Sequence, residues 1–141
     1  MTLNDLKADF EFMDSWEDRF RYVMELGKDL PPFPEFERTE ANKVRGCASQ
    51  VWLVRDEAAG LAPDGSQVLS YHGDSDAILV RGIVAILLRL VNGKSAKEVA
   101  GLDLEGQFAS LGLREHLTPQ RSNGLASMVA RIKAEAEALA G

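Results

Sequence analysis

The chain is poor in thiols, in histidine and in long apolar runs, and each shortage removes a class of function. Its single cysteine, Cys47, cannot form an internal disulfide, which fits a reducing compartment, so a cytoplasmic location is expected. One thiol also cannot ligate an iron–sulfur cluster, which takes several. No apolar stretch reaches the ~18 residues that would cross a bilayer, so no membrane partner is expected. The opening segment MTLNDLKADFEF has no basic region followed by an apolar stretch, so no signal peptide is expected. Excess positive charge is missing too. The net charge is -6, all of it carried by residues 1–42, where 11 acids face 5 bases. With no Lys/Arg cluster, nucleic acid is excluded as the expected partner. A solvated acidic helix surface accounts for the imbalance; an acidic docking face is the other reading.

At 141 residues and 45% hydrophobic content, the chain suits one domain, 1–141, with a real core. It reads as helices, a hairpin, then helices. Ser15-Trp16-Glu17-Asp18 resembles a capping box, and Trp16, Phe20, Val23 and Met24 recur at helical spacing up to Gly27, expected as a C-terminal stop. LPPFP at 30–34 predicts an extended connector. Residues 50–56 and 67–73, rich in Val, Leu, Trp and Tyr, predict an antiparallel pair around the loop AAGLAPDGS. The run from Asp74 to Gly93 is apolar almost all round and predicts a buried central helix ending at Gly93. Asp74, Ser75 and Asp76 are expected as its N-cap and first-turn acids. Ser95 to Glu98 opens a short helix, 103–111 predicts another, and Thr118-Pro119 starts a closing helix with Leu125, Met128, Val129, Ile132, Ala136 and Leu139 on one face. The class is α+β.

The chemistry centres on VRGCASQVWL (44–53). Gly46 permits backbone conformations closed to other residues and leaves space beside the sulfur, and Arg45 would favour thiolate over thiol. Cys47 precedes a strand and is expected at a loop tip within reach of a partner. From these residues alone, a reactive cysteine and a buried structural one both remain open. Gln50 is placed to line the cysteine loop, and Trp52 alternates with it into the core. Arg121 stands in the first turn of the last helix, where the helix dipole disfavours a cation, so a carboxylate partner or an anionic sulfur is expected to justify it. His72 and His116 could serve Cys47 as a base, although hydrogen-bonded or exposed histidines explain them equally simply.

Together with GDSDAILVRG (73–82) and HLTPQRSNGL (116–125), the cysteine segment resembles the SufE family, sulfur acceptors that work with pyridoxal-phosphate cysteine desulfurases. The resemblance runs over nearly the whole chain. It implies the SufE/NifU-like fold, a small antiparallel sheet packed by helices. It also implies that Cys47 carries a persulfide taken from a desulfurase and passes it to an iron–sulfur cluster scaffold. On that reading the protein needs no cofactor of its own and acts as co-substrate and activator rather than as an independent enzyme. Arg121 belongs to the family's LTPxRS pattern. Two departures are a longer loop at 58–66 and Ala48 in place of Gln, both expected near the working end. A stand-alone cysteine hydrolase, a NifU-type scaffold and a thiol-independent adaptor are the rival readings.

Overall fold

The computed structural model describes residues 2–140. The first helix, α1 (Leu3–Glu11), starts from a reciprocal capping box in which Thr2 and Asp5 bond each other's backbone N–H. Helix α2 (Trp16–Gly27) is capped by Ser15, whose hydroxyl accepts from the Asp18 N–H. A ring cluster of Phe10, Trp16 and Tyr22 fastens α1 to α2 through edge contacts of about 6 Å. The proline-bearing segment then runs extended, as expected, into a short 3₁₀ turn at Glu35–Glu37.

The two strands, β1 (Val51–Arg55) and β2 (Tyr71–Ser75), form an antiparallel pair with Leu53 opposite Gly73. The second strand begins four residues later than expected and ends two later. Residues 67–69 instead pair with 93–96: Leu69 N–H donates to Lys94 O and Ala96 N–H to Gln67 O. The strand continues through Gly73 because a Cβ there would lie 2.7 Å from the Trp52 carbonyl and 2.8 Å from Leu53 Cδ2. Close approach outweighs the low strand propensity of Gly-Asp-Ser.

Helix α3 (Ile78–Val91) is the core, with ten buried residues including Ile83, Val84, Ile86, Leu87 and Val91. Burial of each such side chain is worth roughly 1.5–3 kcal/mol. Gly93, at φ +85, ends it as expected. Helix α2 ends at Gly27 as expected, but Gly27 has no positive φ and its special task is a contact. A Cβ on Gly27 would lie 2.7 Å from Gly82 N, and one on Gly82 would lie 2.1 Å from Val23 O. The two glycines let α2 and α3 cross with backbones in contact.

Helices α4 (Ala96–Ala100), α5 (Leu104–Leu111) and α6 (Pro119–Ala140) follow, capped by Ser95, Asp103 and Thr118. The expected face of α6 is buried through Leu125, Met128, Val129, Ile132 and Ala136, and Lys133 Nζ donates to Ala100 O and Leu102 O beyond α4. The hairpin loop is not at the working end. Asp64 accepts from Ser66 and Ser95, fixing the loop to the start of α4. That is the far end of α3, about 20 Å along its axis from the cysteine. No helix among the described residues is long and apolar enough to cross a membrane.

Candidate functional site

The cysteine loop is a narrow turn closed at its base by backbone pairing. Val44 N–H donates to Val51 O at 2.8 Å and Leu53 N–H to Asn42 O at 2.9 Å. Between those pairs the chain must reverse, and Gly46 does so at φ +86, in the left-handed region. The positive φ disfavours any side chain there, and a Cβ would also force Ser127 Oγ on α6, 2.6 Å away, to turn aside.

Cys47 is half-buried, and its Sγ donates to the carbonyl of Gly124 at 3.6 Å. Cys47 lines, with Val51, Val80, Ile83 and Met128, a cavity of about 10 Å³, close to the size of one water. Space beside it comes from Gly124, where a Cβ would stand 3.3 Å from Sγ. Burial pushes the Cys47 thiol up. Arg45 does not offset this as expected: it is exposed and lies 4.0 Å from Glu40.

Arg121 comes to the rim of the same cavity from α6. It is exposed and pairs with no carboxylate among the described residues, so the expected ionic partner is absent there. It also borders a cleft of about 590 Å³ with Phe20, Met24, Ile78 and Leu117. His116 lies in that cleft, stacked on Trp16 at 3.9 Å between centroids, and not in the cysteine cavity. His72 bonds Glu37 at 2.7 Å. Neither histidine lines the cavity, so the cysteine hydrolase reading has no base there among the described residues.

The three residues expected to cap α3 do other work. The cap position is Ala77, which makes no side-chain cap bond. Asp74 lies in β2 and joins Arg38 at 2.7 Å to Arg81 at 2.9 Å, while Arg38 covers the Trp52 ring at 4.9 Å. Trp52 is buried in this satellite cluster with Phe33, outside the main core. Ser75 is buried and accepts from Ala77 N–H. Asp76 accepts from the backbone N–H of Gln50 at 3.0 Å, and so ties one leg of the cysteine loop to the start of α3. Gln50 itself is exposed and turned to Asp76 rather than to the cavity.

Sequence reasoning missed Gly124 and Ser127. The available signal was a glycine inside a helix, three residues after Arg121, at a position where it costs helix stability and therefore needs a packing reason.

Residues 4–136 match the SufE family, described as an Fe-S metabolism associated domain. The chain belongs to the SufE family. It is 54% identical over 136 residues to a SufE-like protein of Rhizobium meliloti strain 1021, covering 96% of this chain and 95% of that one. A SufE-like protein of Rhizobium etli is 53% identical, with 96% and 90% covered. The solution structure of a hypothetical protein from Thermus thermophilus superposes with a TM-score of 0.72 at 22% identity, covering 97% of this chain and 94% of that one. That likeness concerns the α+β fold alone. As a SufE-family member, this chain has a role in Fe–S metabolism, and its one cysteine lies where α6, α3 and β1 meet.

Proposed function

We propose that this SufE-family protein is the sulfur acceptor and activator of a pyridoxal-phosphate cysteine desulfurase, working in a reducing compartment. Cys47 receives the sulfur and hands it on for iron–sulfur cluster assembly on a scaffold. The observation that carries this reading is the placement of the only thiol at a loop tip, in contact with Gly124 and in a cavity also lined by Arg121, a cation with no carboxylate partner among the described residues.

The transfer is thiol–disulfide exchange in form. The desulfurase presents a persulfide on its own cysteine. The Cys47 thiolate attacks the terminal sulfur, a new S–S bond forms on Cys47, the old S–S bond breaks, and the desulfurase cysteine leaves as thiolate. No net oxidation occurs. The desulfurase is freed for another turnover, which is how an acceptor activates it.

Burial works against the thiolate, and Arg121, which lines the same cavity, is the cation placed to favour it once the desulfurase docks. Gly46 and Asp76 shape the loop that presents the sulfur, Asp76 through Gln50. Asp74 and Ser75 hold β2 and the start of α3 behind it, and His116 and Arg45 flank the site from outside the cavity.

The test is Cys47→Ser, which keeps the shape but replaces the thiol by a far poorer nucleophile. The variant folds, and desulfurase turnover in its presence falls to the rate without the protein. Full stimulation by the variant would favour a thiol-independent adaptor.

A further inference from the structure

We infer that Arg131 is the positioning residue of the cysteine loop, holding both of its legs to α6 so that Cys47 stays against Gly124. The inference rests on the sulfur-acceptor reading for its purpose, and on geometry for its content. Arg131 follows Gly124 by seven residues, about two helical turns, so the two occupy one face of α6. Gly124 meets the sulfur; Arg131 meets the base of the loop that carries it.

Its guanidinium spans the two legs. Nη1 donates to Lys43 O at 3.2 Å and to Asn42 O at 3.4 Å, on the leg entering the loop. Nη2 donates to Leu53 O at 3.3 Å, on the leg leaving it. Nε lies 3.5 Å from Glu135 Oε1, one turn further along α6, a long ion pair beside the carbonyl contacts. These are charge-assisted bonds from a half-buried group to carbonyls, where water competes poorly. The planar fork sends a different nitrogen to each leg, whereas a lysine ammonium in its place has all its donors on one atom and loses that span.

The consequence falls on the thiol. Backbone pairs of Val44 with Val51 and Leu53 with Asn42 close the loop within itself, yet they do not attach it to α6. Hydrogen bonds to α6 come from Arg131 at the base and from the weak Cys47–Gly124 contact at the tip, beside the close approach of Gly46 to Ser127. Released at its base, the loop lets Cys47 leave the cavity and meet water. The charged groups around the sulfur are then Arg121 from α6 and Arg45 on the loop; α3 and β1 contribute only Val80, Ile83 and Val51.

The experiment is iodoacetamide labelling of Cys47 across pH in native buffer, for wild type, Arg131→Ala, Arg131→Lys and a control, Lys133→Ala. Lys133 makes similar side-chain bonds to carbonyls, but it joins α6 to the end of α4 away from the loop. Labelling is expected several-fold faster in Arg131→Ala, with the pH profile moved to lower pH. Arg131→Lys, which keeps the charge and the fold, is expected to be faster than wild type as well. Lys133→Ala is expected to lose thermal stability at an unchanged labelling rate. Wild-type labelling in a folded Arg131→Lys, or an equal increase in Lys133→Ala, would overturn the inference. Labelling needs no desulfurase, so a wild-type protein that takes up no sulfur would refute the functional proposal separately.

Discussion

The Cys47 sulfur and the Gly124 carbonyl, 77 residues apart in sequence, meet at 3.6 Å. This contact joins the loop tip to the middle of α6, and it makes a missing Cβ part of the site. Gly124→Ala would place a methyl group 3.3 Å from Sγ. The loop tip is the softer partner, because α6 gains helix propensity of up to about 1 kcal/mol from the change. Thermal stability is therefore expected to hold or rise while Cys47 becomes easier to alkylate. In wild type, burial raises the thiol, so native labelling has its pH midpoint above that of the denatured chain. The sign follows: the folded state keeps its proton longer, so this group's contribution is full below the unfolded pKa and is lost as pH rises through the folded one. Labelling rate against pH, with and without denaturant, checks both statements.

Arg121 is expected to act on chemistry rather than on folding. It is exposed and unpaired among the described residues, so Arg121→Ala should change stability by no more than about 0.5 kcal/mol. Sulfur uptake by Cys47 should slow, since the cation at the rim is gone. Melting temperature and uptake rate measured side by side separate the two roles.

The α2–α3 crossing predicts a purely structural defect. Gly82→Ala would set a Cβ 2.1 Å from Val23 O, in a place where only backbone can move. Overpacking of this kind should cost about 3 kcal/mol or more, read from urea unfolding.

Asp64 marks the end of the molecule remote from the thiol. Hydrogen bonds from Ser95 and then Ser66 hold its carboxyl down at about 2, against an ordinary 3.8. A depressed carboxylate contributes stability above its unfolded value, and that contribution is lost as pH falls from about 4 to about 2. Asp64→Asn should lower the melting temperature at neutral pH and flatten the acid limb of the stability curve. Cys47 labelling and desulfurase stimulation should not change.

Much of this organisation was legible in the residues. The caps Ser15, Ser95 and Thr118 and the apolar run of α3 act locally, so short-range patterns reveal them. The cysteine loop and its glycine are equally local. What escaped was tertiary. Gly27 does end α2, but its close contact was hidden because glycine serves both as a stop and as a contact, and only the partner Gly82 reveals the second. Asp74, Ser75 and Asp76 precede a helix and so looked like caps, but Arg38, Arg81 and Gln50 reach them from distant segments. The start of β2 moved because residues 67–69 found a partner at 93–96, beyond the helix between them. Gly124 and Arg131 matter through what they touch, and no pattern in α6 alone tells what that is.

The central claim is that Cys47 accepts sulfur. Its most direct test is intact and peptide mass spectrometry of the protein after incubation with a cysteine desulfurase and free cysteine. The account predicts a gain of one sulfur atom on the Cys47 peptide, removed by reductant and absent in Cys47→Ser. A desulfurase that turns over while Cys47 remains an unmodified thiol would contradict it.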